Sequence, residues 1–343
     1  MGRLSFRKFL ADQYDPLPPV EPQDLSGQTV LVVGANVGLG YEAAKHFAAM
    51  KPGKLILACR TVEKGKEAAH TIKEATGFEN IEARAVDLSV FQSVIDFAEK
   101  MVQEEDRLDI YVYNAGISTR TYARTADDWE KTLQVNDLSS ALLTILLLPL
   151  LLKSAAKSKF SPRAVIVASD VHYWAKLTPE ELASPNLLET LNDKEHCTPK
   201  VMASRYYISK LLNVFFVREL ASRLPPDSPL TVNAVNPGFC YSSLNRELRF
   251  PVTLFLTVFR VLVARTTEVG SRALVWAATG ARHREQDLRG AFVSDASVKE
   301  PSDFVLSEEG ARVQKQLWNE IVDVLAKVSP KFKTILDEHL SGK

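Results

Sequence analysis

The sequence predicts an α/β fold, in which a doubly wound and predominantly parallel sheet of seven strands has helices on both of its faces. Short, apolar, β-branched runs alternate with longer helical patterns along most of the chain. The runs are apolar almost throughout, as expected for parallel strands that helices cover on both sides. Because crossovers between parallel strands are right-handed, this alternation winds helices onto both faces of one sheet. The chain is therefore predicted to form a single domain of the Rossmann type.

Each element is assigned from its own hydrophobic pattern. The strands are predicted at residues 28–34, 54–59, 81–88, 108–116, 163–169, 230–238 and 290–294. The main helices are predicted at residues 40–50, 62–76, 89–105, 126–155 and 204–224. Ser89 is a candidate N-cap for the third helix.

The remaining segments are interpreted as additions to this framework. Residues 1–25 form an N-terminal extension, in which four prolines between positions 16 and 22 predict an extended lead-in. The Rossmann domain spans 26–300 and includes a polar loop insertion at 171–203 and a substrate lid at 239–265. Residues 301–343 are expected to form a C-terminal helical extension.

Composition narrows the range of functions. The chain has 343 residues, and 46% of them are hydrophobic, which suffices for a substantial core. Lys plus Arg equals Asp plus Glu at 42 each, so no overall field attracts nucleic acid. The cysteines, Cys59, Cys197 and Cys240, stand far apart, which favours a reducing, cytoplasmic setting over a disulfide framework or a zinc site. The N-terminus shows no apolar stretch typical of a secretory signal.

Two apolar runs are tested as membrane segments. The run 141–152 is short and contains Pro149, which favours a buried core helix over a membrane span. The run 251–265 is also short and contains Arg260, so it is interpreted as part of a lid. A shallow helix resting on a membrane surface stays open as the alternative for this second run.

The first predicted strand ends in the glycine-rich turn VVGANVGLG, with glycines at Gly34, Gly38 and Gly40. Glycines in a strand-to-helix turn let the backbone approach a pyrophosphate at a helix N-terminus, where N–H groups and the helix dipole favour anions. The turn opens the first βα unit of a predicted parallel sheet, and such sheets bind nucleotides beyond the carboxyl ends of their strands. We therefore expect a dinucleotide here.

The end of the second strand predicts which dinucleotide binds. A carboxylate at this position selects NAD, whereas an arginine accommodates the 2′-phosphate of NADP. Here Arg60 ends the strand, and the first acid is Glu63. An arginine can grip a phosphate with two parallel hydrogen bonds. The sequence therefore favours NADP(H).

The segment SRYYISK, at residues 204–210, offers an acid/base pair with two readings. Tyr206 and Tyr207 lie four and three residues before Lys210, and both spacings place a tyrosine on the same helix face as the lysine. A nearby ammonium favours the phenolate and is expected to lower the pKa of whichever tyrosine it faces. Spacing alone leaves the choice between the two tyrosines open.

Taken in order, these motifs resemble the short-chain dehydrogenase/reductase family over residues 26–294. VGANVGLG resembles the family's TGxxxGxG, YNAG at 113–116 resembles NNAG, and YYISK contains YxxxK. The closest resemblance is to retinol-dehydrogenase-like members and to fungal reductases of secondary metabolism. The family's YxxxK register selects Tyr206, so that Tyr207 becomes a neighbour of the site.

The resemblance implies roles for individual residues. The catalytic set is Asn136, Ser169, Tyr206 and Lys210. In the family the serine holds the carbonyl oxygen, the tyrosine exchanges the proton, the lysine also bonds the nicotinamide ribose, and the asparagine helps to keep a water beside the lysine. The implied cofactor-binding set is Gly34, Asn36, Val37, Gly38, Leu39, Gly40, Arg60, Asp87, Leu88, Asn114, Ala115, Gly116, Tyr206, Lys210, Pro237, Gly238 and Ser242.

Four features depart from the family pattern without removing a catalytic group, and one of them is the run Ala168-Ser169-Asp170 in place of a more usual run of serines. Val33 replaces a threonine whose hydroxyl tethers the glycine turn, and Tyr113 replaces the first asparagine of NNAG. Ser242 stands where the family often has a threonine. The apolar helix at 204–224 forms a partner surface in many relatives, which leaves a homodimer open.

The substrate pocket is expected around the residues that follow Ser169 and within the lid. Asp170, His172, Tyr173 and Trp174 follow the serine, and His172 is interpreted as structural rather than catalytic. Tyr207 and Phe239 complete the predicted substrate-binding set. The aromatic and aliphatic content favours a bulky apolar ketone or aldehyde, such as a terpenoid, polyketide or retinoid-like molecule.

The function expected from this reading is NADP(H)-dependent hydride transfer by a carbonyl reductase, or ketoreductase, or by an alcohol dehydrogenase. Two alternatives stay open. The same scaffold can carry an epimerase or dehydratase, which product analysis would distinguish. A non-catalytic protein that senses the NADPH/NADP ratio is the other, and the intact Asn136–Ser169–Tyr206–Lys210 set argues against it.

Overall fold

A computed structural model describes residues 4–157, 160–241 and 261–340 and shows an eight-stranded sheet. The strand order is β3-β2-β1-β4-β5-β6-β7-β8. All neighbouring strands are parallel except β7 and β8, which form an antiparallel pair. The strands are β1 (Thr29–Val33), β2 (Lys54–Cys59), β3 (Ile81–Ala85), β4 (Ile110–Tyr113), β5 (Arg163–Val167), β6 (Thr231–Asn236), β7 (Phe292–Ser294) and β8 (Ser297–Lys299).

The predicted Rossmann-type fold is confirmed, but the count of seven strands is wrong. The additional strand is β8, which has only three residues, two of them exposed. Such a short edge strand has neither the apolar run nor the alternation that predicts a strand from sequence. Only its pairing with β7 across a tight turn defines it.

Helices cover both faces of the sheet and bury two separate apolar cores. The helices up to β5 are α1 (Phe6–Tyr14), α2 (Gly38–Ala49), α3 (Val62–Thr76), α4 (Phe91–Glu104), α5 (Lys131–Leu133) and α6 (Ser139–Ala155). Those between β5 and β6 are α7 (Pro179–Ala183), α8 (Leu187–Asn192), α9 (Pro199–Met202) and α10 (Arg205–Arg223). Those after β6 are α11 (Thr267–Thr279), α12 (Glu285–Leu288), α13 (Asp303–Leu306), α14 (Glu308–Val328) and α15 (Pro330–His339).

Strand register aligns the carboxyl ends at which the predicted motifs lie. Val33 of β1 pairs with Ala58 of β2 on one side and with Tyr113 of β4 on the other. Val167 of β5 pairs with Val235 of β6. The chain leaves β1 toward β2 and returns on its other side at β4, which makes this edge a topological switch point.

The long helix predicted at 126–155 is interrupted in the structure. A π-helical turn, Gln134–Leu138, separates α5 from α6. The combined helix Lys131–Ala155 is long and apolar enough to cross a membrane by length and composition alone, but most of its apolar window is buried inside the fold. A core helix of this kind is buried by the sheet and its neighbouring helices.

Three further sequence expectations are corrected. Residues 171–203 are not a plain loop insertion, because they contain a 3-10 turn, Asp170–Trp174, and helices α7 to α9 with buried leucines. The N-terminal extension contains α1 before its extended proline-rich part. Ser89 does not cap α4, whose N-cap is Val90, and the Ser89 hydroxyl instead donates to Asp87 Oδ1 at 2.6 Å.

The C-terminal residues pack against the helices that follow β4 and β5. Helix α14 lies along α10, and α15 lies along α6. The rings of Phe216 and Trp318 stack with centroids 6.0 Å apart, and the Arg223 guanidinium lies 5.0 Å from the Trp318 ring. The C-terminal helices are therefore continuous with one of the two cores.

Candidate active site

Two cavities meet at the carboxyl end of the sheet. The first, which we name the glycine-loop cavity, has a volume of about 690 Å³ and follows the ends of β1 to β4. The second, which we name the tyrosine cavity, has a volume of about 510 Å³ and lies at the ends of β5 and β6. Leu39, Asn114 and Gly116 line both cavities and form their junction.

The glycine turn brings backbone close to the first cavity. Helix α2 begins at Gly38, and its N-cap Val37 offers no side-chain acceptor to the first N–H groups. A Cβ at Gly40 would lie 2.4 Å from the Gly34 carbonyl oxygen and 2.5 Å from Asn114 Nδ2, so no side chain fits there. The Asn114 amide donates to the same Gly34 carbonyl at 3.0 Å. This uncapped, tightly packed helix start fits an anionic diphosphate.

Most of the predicted cofactor residues line the glycine-loop cavity. They are Gly34, Asn36, Val37, Gly38, Leu39, Arg60, Asp87, Leu88, Asn114, Ala115 and Gly116. Gly40 lies beneath the turn, whereas Pro237 and Gly238 line the tyrosine cavity together with Tyr206 and Lys210. Ser242 and most of the predicted lid, residues 242–260, lie outside the described residues.

The far end of the glycine-loop cavity carries positive charge. Arg60 and Thr61 line it directly after β2, and Lys64 joins them from the first turn of α3. Sequence reasoning identified Arg60 but missed Lys64. A signal was present, because Lys64 lies in the first turn of the helix that begins directly after the second strand.

The tyrosine cavity contains the predicted catalytic side chains. Ser169, Tyr206 and Lys210 line it, and Asn136 lies behind Gly116, with its Oδ1 3.4 Å from where a Cβ on that glycine would be. Of the predicted substrate residues, Trp174, Tyr207 and Phe239 also line this cavity, as does Asp170. Three of the four motif residues therefore line one cavity, and the fourth, Asn136, lies behind its wall.

His172 and Tyr173 do not line the tyrosine cavity, contrary to the predicted substrate set. The His172 ring is buried, and Nδ1 donates to the Ser169 carbonyl oxygen at 2.8 Å while Nε2 accepts from the Ser302 N–H at 3.1 Å. Burial lowers the pKa of His172 to about 4, so the neutral ring matches both bonds. Tyr173 donates its hydroxyl to the Glu300 carbonyl oxygen. Both side chains turn toward the C-terminal part of the chain because the 3-10 turn rotates them away from the cavity.

Lys210 is held by two hydrogen bonds from its side-chain nitrogen. Its Nζ donates to the Val167 carbonyl oxygen at 2.7 Å and to Asn213 Oδ1 at 3.2 Å. Burial lowers the pKa of Lys210 to about 8, and the nearby Asp137 carboxyl opposes this shift. Burial likewise raises the pKa of Asp137 well above its usual range. Lys210 is therefore a buried amine that can change charge near neutrality.

Burial raises the pKa of Tyr206, and Tyr207 adds to this shift. The expectation that Lys210 would lower the pKa of the tyrosine is not met. The lysine ammonium lies 5.7 Å from the ring centroid and donates to Val167 and Asn213. The phenol is thus kept protonated, which suits a proton donor.

Asn136 is buried in the π-helical turn, where hydrogen bonds hold its side chain and its carbonyl oxygen. Its Oδ1 accepts from the Ile117 N–H at 2.9 Å, and its Nδ2 donates to Ser209 Oγ at 3.0 Å. Its own carbonyl oxygen accepts from Asn213 Nδ2 at 2.9 Å. The side-chain amide of Asn213 thus links two groups, because it accepts from Lys210 Nζ and donates to the backbone carbonyl oxygen of Asn136. In the family a water is expected between these two groups, and sequence reasoning did not identify Asn213.

Tyr113, the residue that departs from NNAG, supports the same turn. Its hydroxyl donates to the Val135 carbonyl oxygen at 2.6 Å, next to Asn136. The ring is buried in the core between the sheet and α6. Where the family has an asparagine, this chain therefore has a tyrosine whose hydroxyl binds the backbone of the π-helical turn.

Asp170 adds an acid to the cavity wall. Its N–H donates to Asn236 Oδ1 at 3.0 Å, and the Gly238 N–H donates to the same oxygen at 3.1 Å. Burial, followed by the carboxylate of Asp295, raises the pKa of Asp170 to about 7. Asp170 is therefore a largely buried acid in the wall of the tyrosine cavity.

The fold and the two joined cavities define an oxidoreductase of the Rossmann class. A family model described as short chain dehydrogenase matches residues 28–171. The short chain dehydrogenase/reductase dmxR8 of Cryptosporiopsis sp. is 38% identical over 325 residues, which cover 94% of this chain and 98% of that protein. The short-chain dehydrogenase anuD of Penicillium roqueforti is 36% identical over 340 residues, covering 97% and 86%. The chain belongs to the short-chain dehydrogenase/reductase family.

Solved structures agree with this assignment at the level of the fold. An uncharacterized protein from Mycobacterium paratuberculosis superposes with a TM-score of 0.62 at 26% identity, covering 91% of this chain and 96% of that one. The L-sorbose reductase of Gluconobacter frateurii, solved with NADPH and L-sorbose, superposes with a TM-score of 0.58 at 18% identity, covering 79% and 97%. The family binds a nicotinamide cofactor, and the glycine-loop cavity has the donors and the volume to hold one. Within the described residues, no cluster of His, Cys, Asp and Glu could hold a metal ion.

Proposed function

We propose that this chain is an NADP(H)-dependent carbonyl reductase or alcohol dehydrogenase that acts on a bulky, hydrophobic ketone or aldehyde, or on the corresponding alcohol. One observation carries the proposal. Ser169, Tyr206 and Lys210 line an apolar cavity that opens, at the junction, into the glycine-loop cavity. A carbonyl in the tyrosine cavity would thus meet proton chemistry on one side and a nicotinamide on the other.

The protein's own residues would manage the oxygen of the substrate. When bound, the nicotinamide supplies or accepts the hydride. The Ser169 hydroxyl would donate a hydrogen bond to the carbonyl oxygen and hold it. The protonated phenol of Tyr206 would deliver its proton to that oxygen as negative charge develops. Lys210 and Asn213 would then support return of the proton to Tyr206.

The raised pKa of Tyr206 keeps its phenol protonated, which is the form that donates a proton when a carbonyl is reduced. A neutral phenol is ready to donate, whereas oxidation of an alcohol needs the phenolate. The lining of the tyrosine cavity supports an apolar substrate, since Trp174, Tyr207 and Phe239 contribute large aromatic surfaces. A terpenoid, polyketide or retinoid-like carbonyl compound fits this description.

The test of the reaction is consumption of NADPH with a panel of hydrophobic ketones and aldehydes, followed by loss of nicotinamide absorbance and by product analysis. Turnover with formation of the alcohol is the expected result. An epimerase or dehydratase on the same scaffold would transform its substrate without net consumption of NADPH. A protein that binds NADPH but converts no compound of a broad panel would contradict the proposal.

The preference for NADP(H) rests on the positive end of the glycine-loop cavity. Arg60 and Lys64 both line the cavity next to the end of β2, where they would face a 2′-phosphate, and the nearest acid in sequence that lines the cavity is Glu67 of α3. Arg60→Asp is expected to weaken NADPH binding relative to NADH by about tenfold or more, because it exchanges a phosphate partner for a repelling charge.

Lys66→Asp is the matched control for this variant. Lys66 is exposed on α3, the helix that begins directly after Arg60 and Thr61, and it does not line the cavity. Dissociation constants for NADPH and NADH, measured by fluorescence titration, give the ratio for each variant. If the ratio of the two dissociation constants is the same in Arg60→Asp as in Lys66→Asp, Arg60 does not select NADPH over NADH.

A further inference from the structure

The N-terminal helix α1 lies over the tyrosine cavity, although it is remote in sequence from every catalytic motif. Phe6 and Phe9 line the cavity. Phe9 is only 7% exposed, and its ring packs edge-on against Trp174, with centroids 5.5 Å apart, and against Phe239, with centroids 6.5 Å apart. Three aromatic rings from three distant segments thus close one side of the cavity.

A buried glutamine attaches α1 to the chain that follows β6. Gln13 is 7% exposed, and its Nε2 donates to the Phe239 carbonyl oxygen at 2.8 Å and to the Val263 carbonyl oxygen at 3.0 Å. The Phe239 N–H donates back to Gln13 Oε1 at 2.8 Å. A Cβ on Gly238, whose φ is +79°, would lie 2.8 Å from that oxygen, so the glycine is needed for this approach. The amide therefore binds both ends of the segment from Phe239 to Val263.

A buried arginine and a tryptophan hold the two ends of the helix. Arg265 donates to the carbonyl oxygens of Asp12 and Asp15, at the C-terminal end of α1, and to Asp295 Oδ1 at 2.9 Å. Carbonyls in the last turn of a helix lack partners within the helix, so a cation there satisfies them. At the other end, the Trp174 Nε1–H donates to the Leu4 carbonyl oxygen at 3.1 Å.

The position of α1 is therefore specified by contacts to the tyrosine cavity and its rim. A helix of nine residues is too short to be stable by itself in water. Its buried groups, Phe9 and Gln13, both face the segments that wall the cavity. Because Phe9 lies on α1 and the candidate catalytic residues lie on other elements, the size of the side chain at position 9 can change without moving those residues.

We propose that α1 forms the roof of the substrate cavity and that Phe9 is a specificity-determining residue, whose size limits the bulk of the apolar carbonyl compound that enters. The inference rests on the proposed function and adds to it a residue that selects the substrate. It predicts that changes at Phe9 alter discrimination between substrates while cofactor affinity stays the same, because α1 contributes nothing to the glycine-loop cavity.

The test compares Phe9→Ala and Phe9→Trp with the wild-type protein on two ketones that differ in bulk, cyclohexanone and a polycyclic aromatic ketone. The ratio of kcat/KM for the bulky ketone to that for cyclohexanone should rise about tenfold in Phe9→Ala and fall about tenfold in Phe9→Trp. Opposite shifts cannot arise from a general loss of stability. NADPH binding, measured by fluorescence, should match the wild type in both variants.

Arg7→Ala provides the control on the same helix, because Arg7 is exposed and does not line the cavity. It should leave the ratio unchanged. An active wild-type protein whose ratio is the same in both Phe9 variants would overturn this inference alone. A wild-type protein that reduces neither these ketones nor a broader panel would overturn the proposed function, and this inference with it.

Discussion

At the scale of single residues, the site controls protonation through burial. Lys210 and Tyr206 both line the tyrosine cavity. Burial lowers the pKa of the lysine and raises the pKa of the tyrosine, and both shifts favour the neutral form of the side chain. The lysine donates to Val167 and Asn213, while the phenol keeps its proton for the substrate. The same principle explains His172, which is neutral because it is buried between Ser169 and Ser302.

Replacement of each tyrosine tests which one exchanges the proton. Tyr206→Phe is expected to lower kcat by a factor of about 10² to 10⁴, the usual contribution of a general acid, while NADPH binding persists. Tyr207→Phe should retain most of the activity, because this ring lines the cavity without belonging to the YxxxK register. Steady-state kinetics of both variants give kcat for each. If Tyr207→Phe loses activity and Tyr206→Phe retains it, Tyr207 is the residue that exchanges the proton.

His172 is expected to make stability depend on pH. Its pKa in the folded protein is about 4, whereas the unperturbed value is 6.5, so between these values the unfolded chain binds a proton that the folded protein does not. The free energy of unfolding should therefore fall as the pH drops through this window, by about 3 kcal/mol in total. Asp170, with a pKa of about 7, contributes in the opposite direction over an overlapping range.

The variant His172→Gln separates the contribution of His172 to the free energy of unfolding from that of Asp170. Asp170 is present in both proteins, so its contribution cancels when the variant is compared with the wild type. Urea denaturation between pH 4 and pH 7 should give a difference in unfolding free energy between wild type and variant that narrows as the pH falls. A difference that stays constant over this range would contradict the neutral, buried state of His172.

At the scale of elements, the π-helical turn and α10 are joined by hydrogen bonds next to the candidate active site. The turn releases the Asn136 carbonyl oxygen from the ordinary helical pattern, and Asn213 of α10 takes up that carbonyl. The same amide receives a hydrogen bond from Lys210, and its Nδ2 also donates to Asp137 Oδ1 at 2.9 Å. π-helical turns occur often at functional sites, where they redirect a backbone group.

Asn213→Ala should impair catalysis beyond its effect on stability. The loss leaves buried partners unsatisfied, so the free energy of unfolding should fall by about 1–3 kcal/mol. It also removes the bond that orients Lys210, so kcat should fall and its pH profile should shift.

Asn233→Ala is the matched control, because Asn233 is a buried asparagine of β6 whose amide donates to Ala277, away from the site. Urea denaturation and kcat against pH are measured for both variants. Equal kinetic effects in the two would assign Asn213 a purely structural role.

At the scale of the whole molecule, the segments before β1 and after β8 cover parts of the surface of the Rossmann core. The N-terminal helix covers the substrate cavity, and the C-terminal helices cover the outer faces of α6 and α10. The sequence had left α10 open as a dimer surface, but Phe215 packs against Phe304 and Phe216 against Trp318. That face is already occupied by the chain itself.

We therefore expect that this chain forms no dimer through the face of α10 that carries Phe215 and Phe216. Sedimentation at micromolar concentration tests for assembly, with 38.1 kDa as the mass of one chain. Trp318→Ala should lower the free energy of unfolding by about 3–5 kcal/mol, because it empties a packed aromatic site. A dimer whose crosslinks map to α10 would refute this expectation.

The sequence by itself predicted the parallel α/β sheet, the glycine turn, the place of Arg60 at the end of β2 and, through the family resemblance, the ordered set of candidate catalytic residues. These features are periodic, or lie directly at the end of a strand, so local pattern places them. Only the tertiary structure decided that His172 turns away from the cavity, that Asn213 joins Lys210 to Asn136, and that α1 roofs the site. Gln13 and Val263 are 250 positions apart, and no local pattern encodes a contact between such distant residues. Such contacts are fixed only when the packed core sets the position of both segments.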